Sequence, residues 1–464
     1  MDDTDRYIRA LLLQQGITIS ENLNDLFRAF ASAEENINSV KNIRLLQKNM
    51  TQDWKLIARR AEINALQLAF PNGIAGKEYQ AKFDFSNYGL QDITSYHLSG
   101  FENTGLTYEV ASKTISGTPK SSGDISLLFR FNFEGEAEGA PLNEKKITII
   151  INPDPKSLWK DIPSDADDIY AKADSVVELT SFLDFNLISA SKRGRSHANK
   201  GSFRDDDYAY AVLENGWGVV AISDGAGSAK FSRKGSLLAC NAVIDYFTNH
   251  FTEEKLGLLN EAIAIYPTDA NIKPKLLDIA GEHLSAAAKK AYTTIEDFAI
   301  DVNASISDFH ATLAFVLIKK FPQGYAFLSF AVGDCPMAVV DKSFEWVKPL
   351  SKLDVGEYGG GTRFITMAEV FSKDNFEERF NFEFVHNLPY LVLMSDGIYD
   401  PKFEVEANLL KPEKWKAFFE DLQGNNSENI NALSEGGDIK KNISDWMDFW
   451  SPGNHDDRTL IVLS

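Results

Sequence analysis

Four apolar runs in the C-terminal half of the chain each carry an aspartate at one end, and that placement constrains the fold more than any other feature. Trp217 to Ser223 runs into Asp224-Gly225, Phe327 to Val332 into Gly333-Asp334, and Tyr390 to Met394 into Ser395-Asp396-Gly397; Thr459 to Leu463 starts just after Asp456-Asp457. Short apolar runs bounded by Gly, Asn, Asp and Ser read as strands. A single Ser-Asp-Gly at a strand end is an ordinary turn, but its repetition on several strands asks for another reason. Asp224, Asp334 and Asp396 follow their strands, whereas Asp205, Asp206 and Asp457 precede theirs. All six share one sheet edge only if the second group runs antiparallel to the first.

Glu214-Asn215-Gly216-Trp217 contains the Asn-Gly pair of a two-residue hairpin. The register this predicts sets Val212 opposite Val219, Tyr210 opposite Ala221 and Asp207 opposite Asp224, and so brings Asp205-Asp206-Asp207 beside Asp224 and Gly225. Two carboxylates 4 Å apart repel by about 4 kcal/mol at an effective dielectric near 20. Such a group either spreads out in water or holds cations. Oxygen ligands without Cys or His pairs favour Mg²⁺ or Mn²⁺ over Zn²⁺. The two cysteines, Cys240 and Cys335, form neither a CxxC pair nor a disulfide framework. Helical patterns near 234–250, 254–264 and 274–298 lie among these strands, so an α+β domain is expected.

The first ~60 residues read as a helical arm, with Leu26, Phe30, Ala33, Ile37 and Val40 at helical spacing. At Phe70-Pro71-Asn72-Gly73 the period changes to two, and Ile125, Leu127, Phe129, Phe131 and Phe133 alternate with more polar residues. An all-β sandwich follows from that pattern. Gly105-Leu106-Thr107-Tyr108 through Lys113-Thr114-Ile115-Ser116-Gly117-Thr118-Pro119 resembles the immunoglobulin-like repeat of bacterial multidomain proteins, which implies a spacer or binding module. A Pro- and Asp-rich linker comes next. The expected domains are 1–62, 63–152, a linker at 153–175, and 176–464.

Ser196-His197, Arg204-Asp205-Asp206, Ser223-Asp224-Gly225-Ala226-Gly227-Ser228, Val332-Gly333-Asp334, Ser395-Asp396-Gly397 and Asp456-Asp457-Arg458-Thr459 occur in the order of the metal-dependent protein phosphatase 2C family, and 185–464 is similar to its bacterial branch. The resemblance implies an α-β-β-α sandwich of two antiparallel sheets with two Mn²⁺ or Mg²⁺ ions, and a third held more weakly, at one end. It implies hydrolysis of phosphoserine and phosphothreonine by in-line attack of metal-bound water. Asp224 would bridge both ions, the Gly225 carbonyl would help bind one, and Asp396 and Asp457 would complete the first ion's ligands. Asp205 stands where the family has its second-metal Glu, Asp206 would orient water, and Asp334 with Asp396 would hold the third ion. Where many members have a phosphate-binding Arg, four residues before the second-metal carboxylate, this chain has Gly201. Arg195 and His197 are the first candidates to replace it, ahead of Arg193 and Lys200, and His197 is also a candidate general acid. Residues 345–390, with Gly359-Gly360-Gly361, fall where the family carries a flap.

The net charge of −20, from 67 acids against 47 bases, argues against nucleic acid or an anionic membrane as partner. No apolar run approaches the ~18 residues of a membrane span, and the opening residues are no signal peptide. A cytoplasmic protein acting on phosphoproteins made by a cognate Ser/Thr kinase is the expectation. A pseudo-phosphatase that binds phosphoproteins without turnover, and a scaffold whose acidic strand ends hold Ca²⁺, are the alternatives.

Overall fold

The computed structural model of the chain describes residues 3–354, 361–372, 376–434 and 438–464. The expected flap glycines Gly359 and Gly360 lie outside them. The chain divides into two compact units, Met1–Leu158 and Trp159–Ser464. Among the described residues no helix is long and apolar enough to cross a membrane.

In the first unit the helices Asp3–Gln14, Asn24–Ala31 and Glu34–Ala65 precede strands β1 (Gly73–Ile74), β2 (Tyr79–Lys82), β3 (Ile93–Ser99), β4 (Leu106–Glu109), β5 (Thr114–Gly117), β6 (Gly123–Phe133) and β7 (Asn143–Asn152). They form a four-stranded sheet ordered β1-β7-β6-β3 and a three-stranded sheet ordered β2-β5-β4. Leu127, Phe129, Phe131 and Phe133, on one face of β6, share a core with Ala81 of β2 and Ile115 of β5, so the two sheets bury one interior between them. The long helix is tied to this core at its end: Ile63 is buried there, and Arg59 grips both oxygens of Asp92 at 2.6 and 2.7 Å. The stripe expected across 26–40 is not one helix face. The helix breaks at Ser32-Ala33, which leaves Leu26 and Phe30 exposed and buries Phe27, Ala31 and Val40 with Ile8 instead.

The second unit contains β8 (Ser175–Phe182), β9 (Phe185–Lys192), β10 (Asp207–Val212), β11 (Gly218–Ser223), β12 (Leu313–Phe321), β13 (Gly324–Val332), β14 (Met337–Val340), β15 (Val347–Pro349), β16 (Phe380–Val385), β17 (Tyr390–Met394) and β18 (Arg458–Leu463). One sheet runs β10-β11-β12-β13-β16 and the other β15-β14-β17-β18-β9-β8, with every pairing antiparallel. Side chains alternate between faces along a strand. Val220, Ile222, Val316 and Phe327 of the first sheet therefore meet Leu187, Leu391, Leu393 and Ile461 of the second in a middle layer. The opposite faces carry Val219, Ala221, Phe315 and Phe330 under helices Ser232–His250, Glu253–Ile265 and Lys273–Asp301. Ala190, Val392, Leu460 and Val462 likewise lie under Asp396–Phe403, Pro412–Leu422 and Ile439–Trp446. The result is an α-β-β-α sandwich. Strands covered on both sides need apolar residues at nearly every position, which is why β11, β13 and β18 read as almost continuous apolar runs.

The β10–β11 hairpin forms, one residue out of the expected register. Asp207 pairs with Ser223 and Tyr210 with Val220. Leu213 N–H donates to the Trp217 carbonyl, closing a three-residue loop with Gly216 at φ +79°, a bulged turn in place of the two-residue one. Continued outward, this register sets Asp206, not Asp207, opposite Asp224.

Candidate metal centre

Strand direction brings the acids to one end of both sheets. Asp205 and Asp206 precede β10, Asp224 follows β11 and Asp334 follows β13, while Asp396 follows β17 and Asp456-Asp457 precede β18. Hydrogen bonds close the gap between the sheets. The Asp205 N–H donates to Asp457 Oδ2 at 2.5 Å, and Thr459 Oγ1 donates to Asp206 Oδ2 at 2.7 Å. Two glycines let the loops approach this closely. A Cβ on Gly225 would lie 2.6 Å from the Asp205 carbonyl oxygen, and one on Gly397 would lie 2.0 Å from that of Asp457.

Asp224 is anchored through its backbone: its N–H donates to Thr312 Oγ1 and its carbonyl accepts from the Thr312 N–H, both at 2.8 Å. Burial, then the charges of Asp206 and Asp396, hold its carboxyl well above the usual range. Asp396 is raised likewise by burial and then by Asp456, Asp334 and Asp206, and its Oδ1 is buried without a hydrogen-bond partner. Burial followed by the charge of Asp457 lifts Asp205 to about 6 and Asp206 to about 7. Asp334 is raised by burial although it accepts a 2.7 Å bond from Thr362 Oγ1. Ligand atoms of Asp224, Asp334 and Cys335 all lie within 4.8 Å of one another, so Cys335, buried in the middle layer, also borders this centre. His310, by contrast, is held away in a pair with Thr366 Oγ1 at 2.6 Å.

Asp457 differs from the other acids. Its Oδ1 accepts from the Gly194 N–H at 2.6 Å and lies 3.0 Å from His197 Nδ1, while Oδ2 takes the Asp205 amide. Burial pushes its carboxyl up, but His197 and the two amides outweigh that and hold it below the ordinary value. Ligand atoms of His197, Asp456 and Asp457 lie within 4.8 Å of one another, but with both of its own oxygens so engaged Asp457 fits a structural post better than an ion's ligand. Asp456, one residue earlier, is the acid whose charge Asp396 feels most. The sequence quotes both residues of this pair, yet nothing in a run of two aspartates says which one faces the rim.

The candidate basic residues are partly held. Arg195 Nη2 donates to the Asp448 carbonyl at 2.6 Å and the guanidinium lies over Trp450, but its buried Nη1 has no hydrogen-bond partner. Arg193 is bound to Asp161, Asp174 and the Ser202 carbonyl. His197 bridges two acids, with Nε2 3.7 Å from Asp205. Burial works against its charged form, but the hydrogen bond and charge of Asp457 prevail and raise its pKa from 6.5 to about 9. A pKa raised in the folded state contributes stability that is complete below pH 6.5 and lost as pH rises through 9, roughly 3 kcal/mol here. Denaturant unfolding of metal-free His197→Gln should therefore show a deficit at pH 6 that shrinks towards pH 9.5. A deficit independent of pH would remove the ion pair.

Two antiparallel sheets with helices outside and an acidic, oxygen-lined centre where their ends meet define the phosphatase 2C type of sandwich. The chain belongs to that family: the sequence profile described as Protein phosphatase 2C matches residues 193–448, more than half of the chain. Among solved structures it is similar to the catalytic domain of the serine threonine protein phosphatase PstP in complex with two manganese ions (15% identity, 62% of this chain and 98% of that one, TM-score 0.37). It is also similar to the serine/threonine phosphatase Stp1 from Staphylococcus aureus (14%, 62% and 96%, 0.34) and to RsbX in complex with magnesium (14%, 62% and 100%, 0.31). No curated protein sequence matches the chain.

Proposed function

We propose that the second unit is a metal-dependent phosphatase of phosphoserine and phosphothreonine in proteins, opposing a cognate kinase. The observation that carries this reading is the orphaned, buried Oδ1 of Asp396 among acids that hold one another's carboxyls above the usual range, while His197 and Lys172 offset charge at the Asp205 side. The donors fit Mn²⁺ or Mg²⁺, being carboxylates and a carbonyl at a glycine that no side chain could replace. Asp224, Asp396, Asp456 and the Gly225 carbonyl would hold the first ion, Asp224 and Asp205 the second, and Asp334 with Asp396 a third. A pair of such ions supplies an acidified water and a clamp for phosphoryl oxygens. Asp206, its Oδ2 held by Thr459, would orient water beside the ions. His197 and Asp457 would keep the Asp205 loop in place. The first unit, with its arm and immunoglobulin-like sheets, would recruit or space rather than catalyse.

Hydrolysis of an aryl phosphate and of a phosphothreonine peptide, with Mn²⁺ and with chelator, tests the reading. Turnover that chelator abolishes supports it. A second reading, a phosphoprotein-binding pseudo-phosphatase, is favoured by one observation: Gly201 stands where the family has its Arg, and Arg193 is paired with Asp161 and Asp174. Peptide binding without turnover would select it. Asp396→Asn should raise the half-saturating Mn²⁺ concentration by at least ~10-fold and leave thermal unfolding nearly unchanged. Undiminished activity at limiting Mn²⁺ would remove Asp396 from the ligand set.

A further inference from the structure

Residues 159–174 have the composition of a solvated linker, yet they lie along the loop that carries the acids. The Ile162 N–H donates to the Ala198 carbonyl at 2.9 Å, Asp168 pairs with Arg233 at 2.7 Å, and the Tyr170 ring stands edge-on to Phe231. The segment ends by burying one cation. Lys172 Nζ donates to the Asp206 carbonyl at 2.7 Å and to Asp207 Oδ2 at 2.9 Å, with both side chains only 12% exposed.

Three consecutive aspartates enter β10, and side chains alternate along the chain, so Asp206 and Asp207 cannot face the same way. In the observed register Asp206 comes opposite Asp224 and Asp207 is turned to Lys172. With no cation there, Asp207 would be a buried charge beside two others of its own sign. Rotation of the loop would relieve it and carry Asp205 and Asp206 off the centre.

We propose that Lys172 is a positioning residue of the metal centre, which fixes the direction of Asp205 and Asp206 by holding the Asp206 carbonyl and the Asp207 carboxylate. The inference deepens the phosphatase reading and rests on it. It makes the segment that follows the first unit a working part of the second.

The test is calorimetric titration of the metal-free full chain with Mn²⁺, with thermal unfolding recorded alongside. Lys172→Met should raise the Mn²⁺ dissociation constant at least tenfold, and Lys172→Arg should restore most of the affinity. KM for an aryl phosphate at saturating Mn²⁺ should stay within twofold of the wild type, because Lys172 meets the acids and not the substrate. If Lys172→Met does not fold, Lys172→Met/Asp207→Asn answers in its place: it removes the unpaired charge but also the bond that holds the Asp206 carbonyl, so Mn²⁺ should still bind more weakly than to the wild type. Wild-type Mn²⁺ affinity in either folded variant, whatever its unfolding temperature, overturns the proposal and leaves the phosphatase reading standing. Absence of Mn²⁺ binding by the wild type overturns both.

Discussion

Asp224→Ala should lower phosphate release by at least ~10³-fold, over 4 kcal/mol of barrier at 1.36 kcal/mol per tenfold, while the metal-free protein becomes no less stable. Both halves follow from one position. Asp224 lies where acids from both sheets meet, anchored by its backbone through Thr312, so its carboxylate is not needed to hold the loop. Burial and the charges of Asp206 and Asp396 oppose its ionised form, and a carboxyl raised in the folded state subtracts stability progressively as pH climbs from its unfolded value of 3.8, in full once pH exceeds the raised value. Removing the group relieves that opposition. A variant that unfolds more easily without metal would show that Asp224 is a structural acid.

Asp457→Ala should do the reverse and cost about 3–5 kcal/mol of folding stability, the range for leaving a buried charge unpaired. Two amides, Gly194 and Asp205, lose their acceptor, and His197 loses the partner that keeps it charged. The deficit should narrow as pH rises through 9, where His197 gives up its proton in the intact protein. Asp457→Asn keeps one acceptor and should fall between. An Asp457→Ala protein of wild-type stability that no longer binds Mn²⁺ would return this residue to the ligand set and displace Asp456.

The contrast between those two aspartates marks how far the sequence could be read. Strands β11, β13, β17 and β18 were legible because helices cover one face and the other sheet covers the second, which leaves apolar residues at nearly every position. Strand direction allowed Asp224, Asp334 and Asp396 to meet the acids before β10 and β18 on one sheet edge, but the structure divides them between the ends of two sheets. Parity did not follow. Whether Asp206 or Asp207 faces Asp224 turns on a single residue in the Glu214–Gly216 loop, since a two-residue and a three-residue turn share the Asn-Gly signal. Asp456 and Asp457 pose the same problem, decided by amides from Gly194 and Asp205 that are remote in sequence. Lys172 was hidden for another reason. Pro, Asp and Ser around it suggest solvent, and only tertiary contact shows that Asp207 needs a cation. Along the first helices, the break at Ser32-Ala33 divides a periodicity that looked continuous.

Anomalous diffraction from crystals of the full chain soaked in Mn²⁺ measures the central arrangement most directly. Two peaks about 3.5–4 Å apart are expected, with Asp224 between them and Asp396 and Asp456 on one of the two, and with Asp457 touching neither. A map with no Mn²⁺ peak within ligand distance of Asp224 would contradict the account.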